Sequence, residues 1–125
     1  MTREPMNNFV AGDLTLAFNA ARTDAIELTW LGRSNDRNPD KLLNPYWQIT
    51  LAEAAQRTVP IELHFQKLQH FNSSTITVII QFIQEARRRA ARLVVVYDQA
   101  IKWQKLSFDA MRVFVTDELF QLRSV

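Results

Sequence analysis

The sequence predicts an α/β fold with a mixed sheet of about four to five strands, an N-terminal hairpin and helical crossovers. Three observations carry this prediction: two alternating segments near the N-terminus, one long helical period in the second half, and a short apolar segment directly after it. Strands that alternate with helices form parallel pairs joined by crossovers, so we expect one such sheet.

Two alternating segments predict the hairpin. Apolar residues occupy every second position in Leu14–Phe18 and in Ile26–Trp30, with a polar turn between the two segments. Residues 1–12 show no sustained period and contain Pro5, which indicates an irregular lead-in. We therefore expect a single domain over residues 13–125.

The middle of the chain predicts a helix and then a strand. The helix is expected to begin near Pro39 and to run to about Arg57, after a stretch dense in turn-forming residues. Pro45 must then lie in its first turn, because an interior proline breaks a helix. Alternation over Ile61–Gln66 predicts a strand with one covered face and one more solvated face.

The second half gives the strongest helical pattern. Between Thr75 and Ala90 the apolar residues fall on one arc, which is typical of an amphipathic helix. The segment Leu93–Tyr97 that follows is apolar at both parities, as in a central strand buried on both faces. A short helix near Ser107–Phe114 and a last strand around Glu118–Leu122 complete the prediction.

Composition narrows the class of protein. A chain of 125 residues with 47% hydrophobic and 22% charged side chains suits one domain with one core. The absence of cysteine excludes disulfides, thiolate nucleophiles and cysteine metal sites. A net charge of +2 is far from the concentrated basic surface of a nucleic-acid binder, and no apolar run or leader pattern indicates a membrane span or export. We expect a cytoplasmic protein that binds neither nucleic acid nor membrane.

The segment Phe71-Asn72-Ser73-Ser74-Thr75 lies between a predicted strand and the amphipathic helix. One interpretation is structural, because Asn72 or Ser73 is well placed to cap the helix. The other is regulatory, because a helix start offers free amides and the positive end of the dipole to a phosphate on Ser73. The local sequence is compatible with both the structural and the regulatory interpretation.

This segment and its surroundings resemble the STAS domain of anti-sigma-factor antagonists, whose signature is strand, Asp-Ser-Ser-Gly, helix and strand. The resemblance covers residues 61–99. Asn72 takes the Asp position, Ser73 the position of the phosphorylated serine, Ser74 that of the second serine and Thr75 that of the glycine.

The chain also resembles a STAS-like family of small bacterial regulators that activate diguanylate cyclases in biofilm control. Gly32-Arg33-Ser34, Asn38-Pro39 and Phe71-Asn72-Ser73-Ser74 occur in that family's order, over roughly residues 13–115. The resemblance implies a non-enzymatic partner switch without a cofactor. A serine/threonine kinase, which in some systems is the anti-sigma factor, and a PP2C-type phosphatase set the phosphorylation state, and the unmodified form binds its target.

The expected site follows from this resemblance and from helical spacing. Ser73 is the expected phosphorylated residue, with Ser74 and Thr75 as alternatives. The expected partner surface consists of Asn72, Ser74, Thr75, Val78 and Phe82. Val78 and Phe82 also fit a second interpretation, as residues at the margin of the core.

Other functions have less support. A constitutive scaffold module, in which Ser73 has no switching role, is the alternative to a partner switch. A hydrolase built from His64, His70, Ser73 and Asp98 lacks a Gly-x-Ser-x-Gly elbow, and no His-Glu-x-x-His motif indicates a zinc site. Four arginines near residues 87–92 are typical of a solvated helix end.

Overall fold

The computed structural model describes residues 6–125 as an α/β fold with one seven-stranded mixed sheet. The strands are β1 (Phe9–Ala11), β2 (Leu14–Phe18), β3 (Ile26–Ser34), β4 (Ile61–His64), β5 (Leu68–Phe71), β6 (Leu93–Tyr97) and β7 (Phe120–Ser124). The helices are α1 (Pro39–Arg57), α2 (Ser73–Arg88) and α3 (Lys102–Asp109), and a 3-10 segment (Ala110–Phe114) follows α3. No helix among residues 6–125 is long and apolar enough to cross a membrane.

The sheet has the order β1-β2-β3-β4-β6-β7, and β5 pairs with β3 beyond the end of β4. The first three strands are antiparallel neighbours, whereas the remaining pairs are parallel. The predicted hairpin is confirmed as β2 and β3, and the predicted crossovers are confirmed as parallel connections through helices. Strand β6 is buried at every position, as its composition predicts.

The core lies between the sheet and the three helices, which pack on one sheet face. Phe82 of α2 stacks on Trp47 of α1 with 4.4 Å between ring centroids. Phe108 of α3 contacts Phe65 at 4.8 Å and Tyr97 at 5.3 Å. Each fully buried large apolar side chain contributes roughly 1.5–3 kcal/mol by its removal from water, so this cluster is the main source of stability.

The sheet has seven strands and not the predicted four to five, because two short strands show no sequence pattern. Strand β1 lies inside the lead-in predicted to be irregular, and three residues are too few to display a period; residues 1–5 of that lead-in lie outside the described part of the chain. Strand β5 is buried only at its two ends, so it shows no alternation. The predicted strand Ile61–Gln66 ends at His64, where a turn leads to β5.

The prediction that Pro45 lies in the first turn of its helix is wrong. Helix α1 begins at Pro39, which occupies the favourable start, and Pro45 is its seventh residue. The helix continues because Tyr46, Trp47 and Leu51 are buried against the core, and this packing outweighs a local penalty.

Other boundaries differ by a few residues. Helix α2 begins at Ser73, two residues before the predicted start, because Asn72 caps it. Helix α3 begins at Lys102, earlier than the predicted Ser107, since Gln104 and Phe108 are both buried and extend the packed face. The last strand runs over Phe120–Ser124, slightly later than predicted.

Candidate functional site

The candidate site lies at the start of α2 and packs against the carboxyl end of β3. The pairing of β3 with β5 shifts register between Gly32 and Arg33, and Gly32 has a φ of 83°. A Cβ at Gly32 would lie 2.0 Å from the backbone oxygen of Asp13, so only glycine fits there. After this bulge the Ser34 side chain is buried, at 3% exposure, and its hydroxyl faces α2.

Asn72 joins three parts of the chain at the start of α2. Its Oδ1 accepts hydrogen bonds from the backbone N–H of Thr75 at 2.9 Å and from the Thr75 hydroxyl at 2.7 Å. Its Nδ2 donates to the Asp36 carbonyl at 2.8 Å, and its backbone N–H donates to the Ser34 carbonyl at 3.0 Å. Asn72, and not Ser73, is therefore the capping residue.

Thr75 is part of the interior and not of the surface. It is 0% exposed, and its hydroxyl lies 2.6 Å from the Ser34 hydroxyl in addition to its bond with Asn72. The expectation that Thr75 belongs to the partner surface is therefore wrong. A phosphate on Thr75 would also require the start of α2 to open, because the hydroxyl has no access to solvent.

Ser73 has the opposite environment. It is the exposed first residue of α2, and Ser74 beside it is half-buried. Within residues 6–125, neither the Ser73 hydroxyl nor the backbone N–H groups of Ser73 and Ser74 make a hydrogen bond. The first turn contains no acidic residue, so the positive end of the helix dipole stays available to an anion.

Val78 and Phe82, which were candidates for the partner surface, are core residues. Each is only 4% exposed, and Phe82 stacks on Trp47. Both reach the floor of a cleft of about 540 Å³ between α1 and α2. The exposed rim of this cleft is polar and includes Asp40, Asn44, Gln81, Gln84 and Arg88. The interpretation as core margin is thus confirmed for both residues.

The opposite face of the sheet carries a charged cluster that contains His64. Glu62 accepts two hydrogen bonds from the Arg22 guanidinium, at 2.7 and 2.9 Å, and Arg22 also donates to Glu27 at 2.9 Å. His64 Nε2 lies 2.9 Å from Glu62 and 3.9 Å from Glu27. The structure therefore brings His64 together with two carboxylates and not with Ser73.

Among residues 6–125, Glu27, Glu62 and His64 come closest to the arrangement of a metal site. One ligand atom each from Glu27, Glu62 and His64 lies within 4.8 Å of the others. Arg22 already supplies the positive charge that a cation would bring. Burial raises the pKa of Glu62, but hydrogen bonds from Arg22 and His64 outweigh burial and hold the pKa below its usual value.

Two of the four arginines near the end of α2 contact distant parts of the chain, whereas the sequence predicts a solvated helix end. Arg87 donates to the Phe114 carbonyl at 2.7 Å and ties α2 to the 3-10 segment. Arg89 donates to Gln48 at 2.6 Å. Sequence spacing did not indicate either contact, because both partners are distant in the chain.

In comparisons with known proteins, no protein-family model matches the chain and no curated protein gives a significant match. The fold and the site define an α/β domain with an exposed serine at a capped helix start. The resemblance to STAS-like regulators rests on the motifs described above.

Proposed function

We propose that this chain is a STAS-like partner-switching regulator that binds its protein target when Ser73 is unphosphorylated. It acts either as an anti-sigma-factor antagonist or as an activator of a diguanylate cyclase. A serine/threonine kinase adds the phosphate and a PP2C-type phosphatase removes it. The domain itself catalyses no reaction and works in the cytoplasm.

One observation carries this proposal: the Ser73 hydroxyl is exposed and has no structural task in residues 6–125. Asn72 supplies the cap, so modification of Ser73 breaks no hydrogen bond that holds α2 in place. Two free amides at the helix start are positioned to receive phosphate oxygens. The same position therefore accepts a dianion without loss of the fold.

The switch acts through the partner and not through refolding. A phosphate adds about −1.5 to −2 charges at this point. A partner that packs on the neighbouring surface, formed by Asn72, Ser74 and the polar face of α2, would have to desolvate that charge. Binding is therefore expected for the unmodified form only.

The proposal is tested by binding measurements with purified candidate targets from the same organism, either a serine kinase that holds a sigma factor or a diguanylate cyclase. Ser73→Ala should bind that target like the unmodified protein, whereas Ser73→Glu should weaken binding by about ten-fold or more, which is roughly 1.4 kcal/mol. Gln56→Glu is the matched control, because Gln56 is an exposed glutamine near the far end of α1, outside the proposed partner surface.

The outcomes separate the candidate functions. A cyclase that gains activity identifies an activator, and release of a sigma factor from its regulator identifies an antagonist. Equal binding by Ser73→Glu, Gln56→Glu and the unmodified protein would contradict a switch at Ser73 and favour the constitutive scaffold.

A further inference from the structure

A second cleft, also of about 540 Å³, lies at the far ends of α1 and α2 from Ser73. Leu51 and Ala54 form its buried floor. Its walls are two exposed alanines of α1, the connection at residues 58–60 and the segment at residues 89–92. A cleft of this volume with mostly apolar walls has the size and character of a small-molecule site.

Small side chains and two helix ends keep this space open. Ala52 and Ala55 line the α1 wall, where larger side chains would fill the cleft. Both helices then turn away through residues in the left-handed region, Thr58 with φ 56° and Ala90 with φ 54°. The cleft is thus a consequence of how both crossovers leave their helices.

Some carbonyl groups near these helix ends accept backbone hydrogen bonds, which reduces part of the negative charge that a helix end usually presents. Ala54 O accepts from the backbone N–H of Val59 at 3.2 Å, and Ala86 O accepts from that of Ala91 at 2.8 Å.

Charge at the cleft has one sign. Arg89 and Arg92 line it, and no acidic side chain does so among the described residues. Arg89 is engaged with Gln48 and Glu85. The Arg92 side chain is exposed and makes no hydrogen bond or ion pair within residues 6–125, while its carbonyl accepts from Ile61 N–H at 2.9 Å and anchors the residue to the sheet.

We propose that this cleft binds a small amphipathic anion, with its apolar body against the alanine wall and its carboxylate paired with Arg92. The floor provides apolar contact, and Arg92 is the unpaired charge that fixes orientation. Charge complementarity with Arg92 favours an anion over an amphipathic cation. This inference is independent of the switch proposed for Ser73 and concerns the opposite end of α2.

The test is calorimetric titration of the full chain with decanoate below its micelle concentration at low salt. We expect saturable one-to-one binding and no binding of decyltrimethylammonium. Arg92→Gln should weaken decanoate binding about two- to five-fold, which is the upper part of the range for an exposed ion pair. Arg88→Gln is the matched control, because Arg88 is an exposed arginine at the same helix end that does not line this cleft.

A second pair of variants tests the cavity itself. Ala55→Leu should abolish decanoate binding because the new side chain fills the cleft, and Gln56→Leu, on the neighbouring exposed position, should leave it intact. Thermal unfolding checks that both variants fold. Non-saturable binding of decanoate, equal effects of Arg92→Gln and Arg88→Gln, or unaltered binding by folded Ala55→Leu would overturn the proposal.

Discussion

At the scale of single residues, Asn72 caps α2 and Ser73 is the position proposed for phosphorylation. The sequence alone allows either residue to be the cap. The amide of Asn72 bonds to Thr75 and to Asp36, and so joins α2 to the loop after β3. Ser73 contributes no side-chain hydrogen bond within residues 6–125 and remains exposed. This arrangement allows a charge to be added at Ser73 while the helix start is held by its neighbour.

Alanine substitutions at these two adjacent positions are therefore expected to differ in their effect on the free energy of unfolding. Asn72→Ala should reduce the free energy of unfolding by about 1–2 kcal/mol, because the first-turn amide of Thr75 loses its cap. Ser73→Ala should change it by less than about 0.5 kcal/mol, as for exposed positions without contacts. Urea unfolding at pH 7 measures both values, and equal losses would contradict the assignment of the cap.

The residues of the site were accessible to sequence reasoning only in part. A polar run before an amphipathic helix indicates a helix start, and both Asn72 and Ser73 were identified from it. The burial of Thr75 was not, because it depends on a hydroxyl of Ser34, 41 positions away. That contact exists because the bulge at Gly32 turns the end of β3, and no local pattern reports such a bulge.

At the scale of elements, α1 contains a proline that the helix does not need. A proline at the seventh position supplies no N–H to the carbonyl of Lys41, four residues earlier. The helix persists because its apolar side chains are buried against the sheet. Local propensity and tertiary packing therefore disagree at Pro45, and packing decides.

Pro45→Ala should therefore stabilise the protein. We expect a gain of about 1–3 kcal/mol in the free energy of unfolding, because a backbone hydrogen bond is restored and a steric conflict is removed. Pro39→Ala is the control: Pro39 occupies the favourable first position and is buried, so its loss should be neutral or destabilising. Denaturant titration of both variants decides the matter, and a destabilised Pro45→Ala would show that the proline is itself required for the fold.

The same competition explains which elements are predictable. Helix α2 and strand β6 each carry a periodic or continuous apolar pattern, and both were predicted nearly at their true limits. Strands β1 and β5 are short and paired at one side of longer strands, so their formation depends on those partners. Their own residues hold too few positions to show a period.

At the scale of the whole molecule, the two faces of the sheet are stabilised differently. The helical face has the aromatic core, whereas the other face buries Glu62 to 6% exposure against the Arg22 guanidinium. The folded state holds the pKa of Glu62 below its ordinary value of 4.5. A lowered pKa means that the folded state favours the carboxylate, so this contribution to stability is present above pH 4.5 and is lost as the pH falls through the folded pKa.

Glu62→Gln should expose this pH dependence. At pH 7 the variant is expected to be less stable by about 1–3 kcal/mol, because it loses charge-assisted hydrogen bonds from Arg22. Below pH 4.5 the difference should shrink as the pH falls, since protonation removes the same charge from the unmodified protein. Glu118→Gln, at an exposed position, should match the unmodified protein at pH 7 and at pH 3. A difference that is constant between pH 7 and pH 3 would contradict the role given to the carboxylate.

In the proposed function, Ser73 is the regulated position of the whole domain. Its most direct test is mass-spectrometric mapping of phosphorylation across residues 68–87 in protein isolated from its own cells, with and without phosphatase treatment. We predict phosphate on Ser73, with the half-buried Ser74 as the nearest alternative, and none on the buried Thr75. Complete absence of phosphate under every growth condition, or phosphate confined to Thr75, would contradict the account.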